Sequence, residues 1–143
     1  LEHVRKPEVV VYEMSRVLKP DGILILSAPM TWPLHEEPYD FYRYTLHGLR
    51  HLLEEADFEI LDEVRRGNNL TTLAQMFLDI QLANIGQALP QRVYSTLLSL
   101  VVNQACSVGN LFNPVRRLCL GWVMAARKMS AGELTPTDIK QFN

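Results

Sequence analysis

The features that are scarce in this sequence exclude several classes of function. Only two cysteines occur, Cys106 and Cys119. Their spacing fits no metal site and both lie among apolar residues, so we interpret them as reduced core side chains of a cytoplasmic protein. The net charge of −2 gives no electrostatic reason to expect a nucleic-acid partner. No basic region followed by an apolar run opens the chain, so no signal peptide is predicted.

What is present is the composition of an ordinary globular protein. Apolar residues make up 48% of the 143 residues and charged residues 21%. These proportions are typical of a chain that folds around a core and not of a disordered one. The length suits one domain that buries such a core.

A helix, a turn and a strand are predicted near the start of the chain. Residues 6–18 have the spacing of an amphipathic helix that has Pro7 in its first turn. Its predicted buried stripe consists of Val10, Val11, Met14, Val17 and Leu18. The residues Lys19-Pro20-Asp21-Gly22 end the helix in a turn. The unbroken apolar run over residues 23–26 predicts a parallel strand buried on both faces.

The loop after this strand, residues 30–44, is rich in side chains that carry chemistry. It contains Trp32, His35, three tyrosines and several charged residues. In open α/β sheets, ligands bind beyond the carboxyl ends of the strands. The loop is therefore the predicted position of a site.

Three motifs of this region resemble a known family. They are Leu-Glu-His-Val at residues 1–4, Glu-x-x-Arg-Val-Leu-Lys-Pro-Asp-Gly at 13–22, and Pro-Leu-His-Glu-Glu-Pro-Tyr-Asp-Phe-Tyr-Arg-Tyr at 33–44. In this order and spacing they resemble the C-terminal half of a class I S-adenosylmethionine (SAM) dependent methyltransferase, a Rossmann-like family acting on small molecules. The family commonly has Gly in place of Asp21. The resemblance covers the first half of the chain and returns near residues 121–128.

The resemblance implies an α/β fold that contains the C-terminal strands of a Rossmann-like methyltransferase sheet. After Leu70 the family pattern is interrupted, and the residue pattern predicts a two-helix insertion before the last strand. Strands are expected at residues 58–64 and 118–128, antiparallel to each other, with Thr45 capping the helix between the first two strands. The inserted helices are expected from Thr71 or Thr72 to about Gly86, and over residues 93–108. The implied segments are 1–69 for the C-terminal part of the core, 70–115 for the insertion, 116–129 for the last core strand and 130–143 for a polar tail.

The chain lacks the parts that hold most of SAM in the family. Its seven glycines form no G-x-G-x-G pattern, and the acidic residue for the ribose hydroxyls is missing. No Met opens the sequence, so we expect it to derive from a longer protein or a partial reading frame. The resemblance thus implies SAM as cofactor of the complete enzyme, and little activity for this chain alone.

The resemblance also implies a set of site residues. Glu2 and His3 would lie near the methionine moiety of SAM and the acceptor, and His3 is a second catalytic candidate. His35 is the first candidate for the base that deprotonates a small-molecule acceptor, because histidine exchanges protons near neutral pH. The alternative for His35 is that it only anchors its loop.

The remaining candidates concern the acceptor pocket and metal binding. Tyr39 is predicted to contact the acceptor, and Met30 and Trp32 either line the same pocket or belong to the core. Arg43 would hold an anionic group of the acceptor, or pair with Asp40 to fix the loop, the interpretation we favour. No metal site is predicted, since no third ligand accompanies His47 and His51 and nothing completes a set with Glu36 and Glu37.

A second hypothesis makes the chain a non-catalytic module that oligomerises. The wide apolar surface of residues 93–108 requires cover, and the flank of the strand at 23–26 would be an exposed sheet edge. A second copy of the chain could cover either surface, which would make a homodimer, or the two inserted helices could fold over the strand edge. The helix lacks the basic polar face of a membrane-surface helix, and Asn103 and Gln104 interrupt its apolar surface, so no membrane partner is predicted.

Overall fold

The computed structural model of this protein describes residues 1–82, 89–110 and 117–130. These residues form a mixed α/β structure with four helices and a three-stranded sheet. The elements in chain order are α1 (Pro7–Val17), β1 (Ile23–Pro29), α2 (Leu46–Glu54), β2 (Phe58–Arg66), α3 (Asn69–Leu82), α4 (Leu89–Asn110) and β3 (Gly121–Lys128). The predicted α/β class is confirmed, and α3 and α4 come between β2 and β3 in the order of the chain.

The last strand lies in the middle of the sheet. The strand order is β1-β3-β2, and β3 runs antiparallel to both neighbours. The predicted antiparallel pairing between the second and last strands is therefore confirmed. β1 and β2 consequently run in the same direction on either side of β3. A register shift between Ile60 and Asp62 interrupts the β2–β3 ladder.

The prediction of a parallel strand buried on both faces is wrong, since β1 pairs antiparallel with β3 and part of it is exposed. Leu26 and Ala28 are buried, but Ile23 is 50% and Ile25 is 73% exposed. Among the described strands β1 pairs only with β3, and its alternate side chains point to opposite faces. An apolar run specifies a strand, but it does not specify that other elements cover both faces.

Helix α1 begins at Pro7, as predicted, but it buries a narrower stripe. Its buried residues are Pro7, Val11 and Ser15, which follow one another at four-residue intervals on one side. Val17 was predicted to be buried and is 68% exposed. At about 100° per residue it lies about 200° around the helix from Ser15, on the opposite side.

The turn after α1 contains a residue with left-handed backbone geometry. Gly22 N donates to Lys19 O at 2.9 Å, and Asp21 has a φ of 61°. Asparagine and aspartate tolerate this region better than most residues with a side chain. The turn predicted from the Asp-Gly pair is confirmed.

Helix α2 covers the core of the sheet. Thr45 Oγ1 accepts a hydrogen bond of 3.1 Å from Gly48 N, which confirms the predicted cap. Leu49 and Leu53 are completely buried, as are Phe58 of β2 and Met124 of β3. α2 therefore closes one face of the sheet with apolar side chains.

The described residues fall into two compact units. One unit comprises Leu1–Met30, Leu34–Arg66 and Gly121–Asn143, within which the sheet, α1 and α2 are described. The other comprises Thr31–Pro33 and Gly67–Leu120, and contains α3 and α4, which pack against each other.

Helix α3 starts earlier than predicted. Its first residue is Asn69, so neither Thr71 nor Thr72 is the cap. Asn68 N donates to Thr71 Oγ1 at 2.7 Å, and Thr71 N donates to Asn68 Oδ1 at 3.1 Å. This reciprocal pair gives the backbone N–H groups of both residues a side-chain acceptor at the helix start, as in a capping box. The predicted helix end near Gly86 lies outside the described residues, as does nearly all of the predicted tail.

The two cysteines do not form a disulfide with each other. Cys119 is buried and Cys106 is half-buried, and both are free thiols. No helix in the described ranges has the length and apolar character needed to cross a bilayer.

Candidate functional site

The loop that follows β1 is fixed at both ends and in its middle. Tyr44 N donates to Pro29 O at 2.8 Å, which closes the loop onto the end of β1. Tyr39 N donates to Glu36 O at 2.9 Å in a turn that contains the cis Glu37–Pro38 bond.

The start of the chain lies against the same loop. Phe41 N donates to Glu2 O at 2.9 Å, and Nδ1 of His3 lies 3.1 Å from the backbone oxygen of Tyr39. The motifs at residues 1–4 and 33–44, which are distant in sequence, are thus adjacent in the structure.

Asp40 is the centre of the loop. Its side chain is 1% exposed, and its two carboxylate oxygens accept hydrogen bonds of 2.6 and 2.7 Å from Arg43. His35 N also donates to Oδ2, at 3.0 Å, and Nδ1 of His35 lies 3.4 Å from the same oxygen. The hydrogen bonds from Arg43 are the largest cause that holds the pKa of Asp40 well below its ordinary value of 3.8, against the opposing effect of desolvation.

Three side chains with metal-ligating atoms meet beside Asp40. One ligand atom each from Glu2, His3 and His35 lies within 4.8 Å of the others. Nε2 of His3 is 3.7 Å from Oε1 of Glu2, and the two imidazole rings pack edge-to-face with centroids 4.7 Å apart. All three side chains are partly exposed, by 19% for Glu2, 34% for His35 and 35% for His3, so solutes can reach them.

Glu2 contacts its neighbour in the chain through one carboxylate oxygen. Its Oε2 accepts a hydrogen bond of 3.1 Å from the α-ammonium of Leu1. Burial, the largest influence, raises the pKa of Glu2, but the hydrogen bond with its own backbone N–H and the nearby α-ammonium outweigh burial and lower it. Glu2 is therefore ionised at neutral pH.

Two tyrosines of the loop differ sharply in their environment. Tyr44 is 7% exposed, and its hydroxyl donates to Leu1 O at 3.3 Å. Burial raises the pKa of Tyr44 to about 12. Tyr39 is 58% exposed, and its side chain extends from the loop into solvent.

The structure brings together some of the predicted site residues and not others. Glu2, His3, His35 and the backbone of Tyr39 form one cluster, and Arg43 joins it through Asp40. Met30 is half-buried at the end of β1. Trp32, 40% exposed, belongs to the unit of α3 and α4.

Sequence reasoning did not find the role of Asp40 as the residue that holds both His35 and Arg43. Nor did it combine Glu2 with the two histidines as a ligand set. The available signal was that all of these residues fall in the two motifs at residues 1–4 and 33–44. The other histidine pair is different, because His51 is 76% exposed and its Nδ1 lies 4.0 Å from Oε1 of Glu55.

A surface hollow of about 360 Å³ lies elsewhere in the same unit, between α2 and β2. It is lined by Arg50, Glu54, Ile60, Leu61, Asp62 and Glu63. None of the predicted site residues is among them, so the hollow does not correspond to the predicted site.

Neither a protein-family model nor a curated protein matches this chain. Conclusions about function therefore depend on the arrangement of its own residues and on the resemblance of its motifs.

Proposed function

We propose that this chain is the C-terminal, acceptor-side part of a SAM-dependent methyltransferase that acts on a small molecule. The observation that carries the proposal is the meeting of the motifs at residues 1–4 and 33–44. In the family, these are the segments that approach the methionine end of SAM and the acceptor. The contacts of Glu2 with Phe41 and of His3 with Tyr39 are what such a shared site requires.

The sheet supports the same proposal. An antiparallel strand between two strands of common direction, β1-β3-β2, is consistent with the C-terminal part of a Rossmann-like sheet. The site lies beyond the carboxyl end of β1, where open α/β sheets bind ligands. Fold alone does not specify function, so the proposal depends on the side chains.

The residues present fit one end of SAM. Oε1 and Oε2 of Glu2 are carboxylate oxygens, which accept hydrogen bonds from an ammonium group such as that of the methionine moiety. Glu2 would hold that group, and His3 would lie beside it. The sequence has no glycine-rich turn for the adenosine part, so we expect this chain alone to bind SAM weakly.

When bound, SAM supplies a methyl group attached to a positively charged sulfur, which leaves as a neutral thioether. The task of the protein is to align the acceptor and exclude water. His35 takes the proton of a hydroxyl acceptor, and the Asp40 carboxylate, 3.4 Å from Nδ1, orients the ring. His3 is the second candidate base. Met30 and Tyr39 are the proposed acceptor contacts, and Arg43 fixes the loop through Asp40.

The test is calorimetric titration of SAM into this chain and into a version extended upstream through the preceding coding sequence. We expect micromolar binding by the extended version and much weaker binding by this chain. In the extended version, His35→Gln should reduce methyl transfer, and the exposed His51→Gln should not. Micromolar binding by this chain would contradict the expectation that it is incomplete, and binding by neither version would contradict the methyltransferase proposal.

A second proposal makes the chain an oligomerising module, and a specific observation favours it. In α4 the side chains of Val93, Leu97, Leu100 and Val101 are between 50% and 66% exposed, and they recur at helical spacing. The exposed Ile23 and Ile25 of β1 are a second apolar surface. Light scattering in solution tests it: a dimer that Val101→Glu converts to a monomer supports assembly, and a pure monomer contradicts it.

A further inference from the structure

We propose that Glu2, His3 and His35 form a binding site for one divalent transition-metal ion of the zinc class. Within the described residues this is the group of histidine, cysteine and acidic side chains whose ligand atoms come close enough to share an ion. The inference is independent of methyl transfer, since a metal site here needs neither SAM nor an acceptor.

The orientation of His3 is that of a metal ligand. The backbone oxygen of Tyr39 can only accept a hydrogen bond, so Nδ1 of His3, 3.1 Å away, carries the proton of the neutral ring. Nε2 is then the nitrogen with the lone pair, and it faces Oε1 of Glu2 at 3.7 Å. Metal-binding histidines commonly donate the other ring N–H to a backbone carbonyl in this way.

His35 has the second common arrangement. Its Nδ1 lies 3.4 Å from Oδ2 of Asp40, and that carboxylate is itself held by two hydrogen bonds from Arg43. A carboxylate behind a histidine fixes the ring and increases the basicity of the opposite nitrogen. We assign Nε2 of His35 to the ion. While the ion is bound, His35 is a ligand and not a base.

The ligand set and its spacing suit zinc. Two imidazoles and one carboxylate form the set seen in catalytic zinc sites, which leave a fourth position for water or a substrate. Bonds of about 2.0–2.1 Å place tetrahedral ligands about 3.4 Å apart. The observed separations, 3.7 Å between Nε2 of His3 and Oε1 of Glu2 and within 4.8 Å for the group, exceed this value, so these partly exposed side chains move inward when they bind the ion.

Charge also favours a cation here. Glu2 supplies the carboxylate of the ligand set, and its Oε1 lies 3.7 Å from Nε2 of His3. Oε1, the oxygen nearer to His3, is the one that we assign to the ion. The bound ion would therefore meet one anionic and two neutral ligands, as in other sites of this type.

The first experiment is titration of the chain, produced without a polyhistidine tag, with Co²⁺ followed by visible absorption. Zn²⁺ is then added as competitor, and Zn²⁺ binding is measured by calorimetry. We expect one ion per chain, a visible band that Zn²⁺ removes, and a Kd of micromolar or below. His3→Ala and His35→Ala should each weaken binding at least tenfold, whereas His47→Ala and His51→Ala, exposed histidines of α2, should leave it unchanged.

One further variant protects the test against misfolding, and a second tests the support that Asp40 gives to His35. Glu2→Gln preserves the shape of the side chain and should also weaken binding at least tenfold, with an unchanged circular dichroism spectrum. Asp40→Asn should weaken it by about 10–100-fold through His35. The proposal is overturned if no band appears, if binding is only millimolar (an adventitious ion only), or if the His51→Ala control loses as much affinity as His3→Ala. SAM titration with the metal chelated reports separately on the proposed methyltransferase.

Discussion

The guanidinium of Arg43 meets the carboxylate of Asp40 through two parallel hydrogen bonds, of 2.6 Å to Oδ1 and 2.7 Å to Oδ2. The carboxylate is almost completely buried and also accepts a hydrogen bond from His35 N. The pair predicted from the sequence as a loop-fixing contact is therefore present. Because one carboxylate holds both Arg43 and His35, the loop and the candidate site share one structural centre.

Replacing Arg43 tests how strongly this pair fixes the protein. Arg43→Lys keeps the charge but cannot form the two-bond fork, so we expect Tm to fall by several degrees. Arg16→Lys is the matched control, since Arg16 pairs with Glu13 at the same three-residue spacing but is 61% exposed. Exposed pairs contribute little, so its Tm should hardly change. Equal effects of the two substitutions in a thermal scan would contradict the central role of Asp40.

Because of the same pair, the stability of the protein should depend on pH in the acid range. The folded-state pKa of Asp40 lies below its ordinary value of 3.8, so the folded state binds fewer protons than the unfolded state as the pH falls through this range. Stability from the pair is then present above pH 3.8 and is progressively lost in acid. The stability difference between the wild type and Asp40→Asn should shrink as urea denaturation is repeated from about pH 6 to about pH 2.5.

Because of Tyr44, the stability of the protein should also depend on pH in the alkaline range. Burial raises its pKa to about 12 from 10.0, so the folded state retains a proton that the unfolded state releases. Stability should therefore fall as the pH rises from 10 to 12. In denaturation experiments, Tyr44→Phe should lose less stability than the wild type over this pH range. Tyr94→Phe, which replaces a 53% exposed tyrosine, should show the same decrease as the wild type.

The turn after α2 contains a strained residue that one substitution can relieve. Asp57 has a φ of 61°, in the left-handed region where a side chain costs about 1 kcal/mol or more. Asp57→Gly should raise the free energy of unfolding by about 0.5–1 kcal/mol in urea titration. Asp57→Asn removes the charge and keeps a tolerated side chain, so its effect should be small. A loss of stability in Asp57→Gly would show that the aspartate makes a stabilising contact.

In contrast to Asp57→Gly, the addition of a methyl group at Gly121 should lower stability. A Cβ at this position would collide with the backbone oxygen of Ala28 and lie 3.1 Å from Cα of Pro29, on the paired strand. Gly121→Ala should destabilise the protein by about 1–3 kcal/mol. Ala125→Ser, farther along β3, is the control and should change stability by less than about 0.5 kcal/mol. Normal stability of Gly121→Ala would mean that β1 and β3 can separate at little cost.

The sequence by itself determined the features that depend on a few neighbouring residues. Pro7 opens α1 because its missing N–H is no loss in the first helical turn. Thr45 caps α2 because its hydroxyl reaches the N–H three residues later. Lys19 to Gly22 form a turn because Asp21 tolerates the left-handed region. The antiparallel β2–β3 pairing was predicted through the family resemblance.

The tertiary structure alone decided what depends on residues distant in the chain. Exposure of Ile25 and Val17 depends on which elements cover them, and hydrophobic spacing does not contain that information. The close approach at Gly121 exists only because β1 lies beside β3. Likewise, Glu2 and His3 become neighbours of His35 only after the loop, held by Asp40 and Arg43, folds back over the start of the chain. Hydrogen bonds between distant segments, and not local propensity, assemble the candidate site.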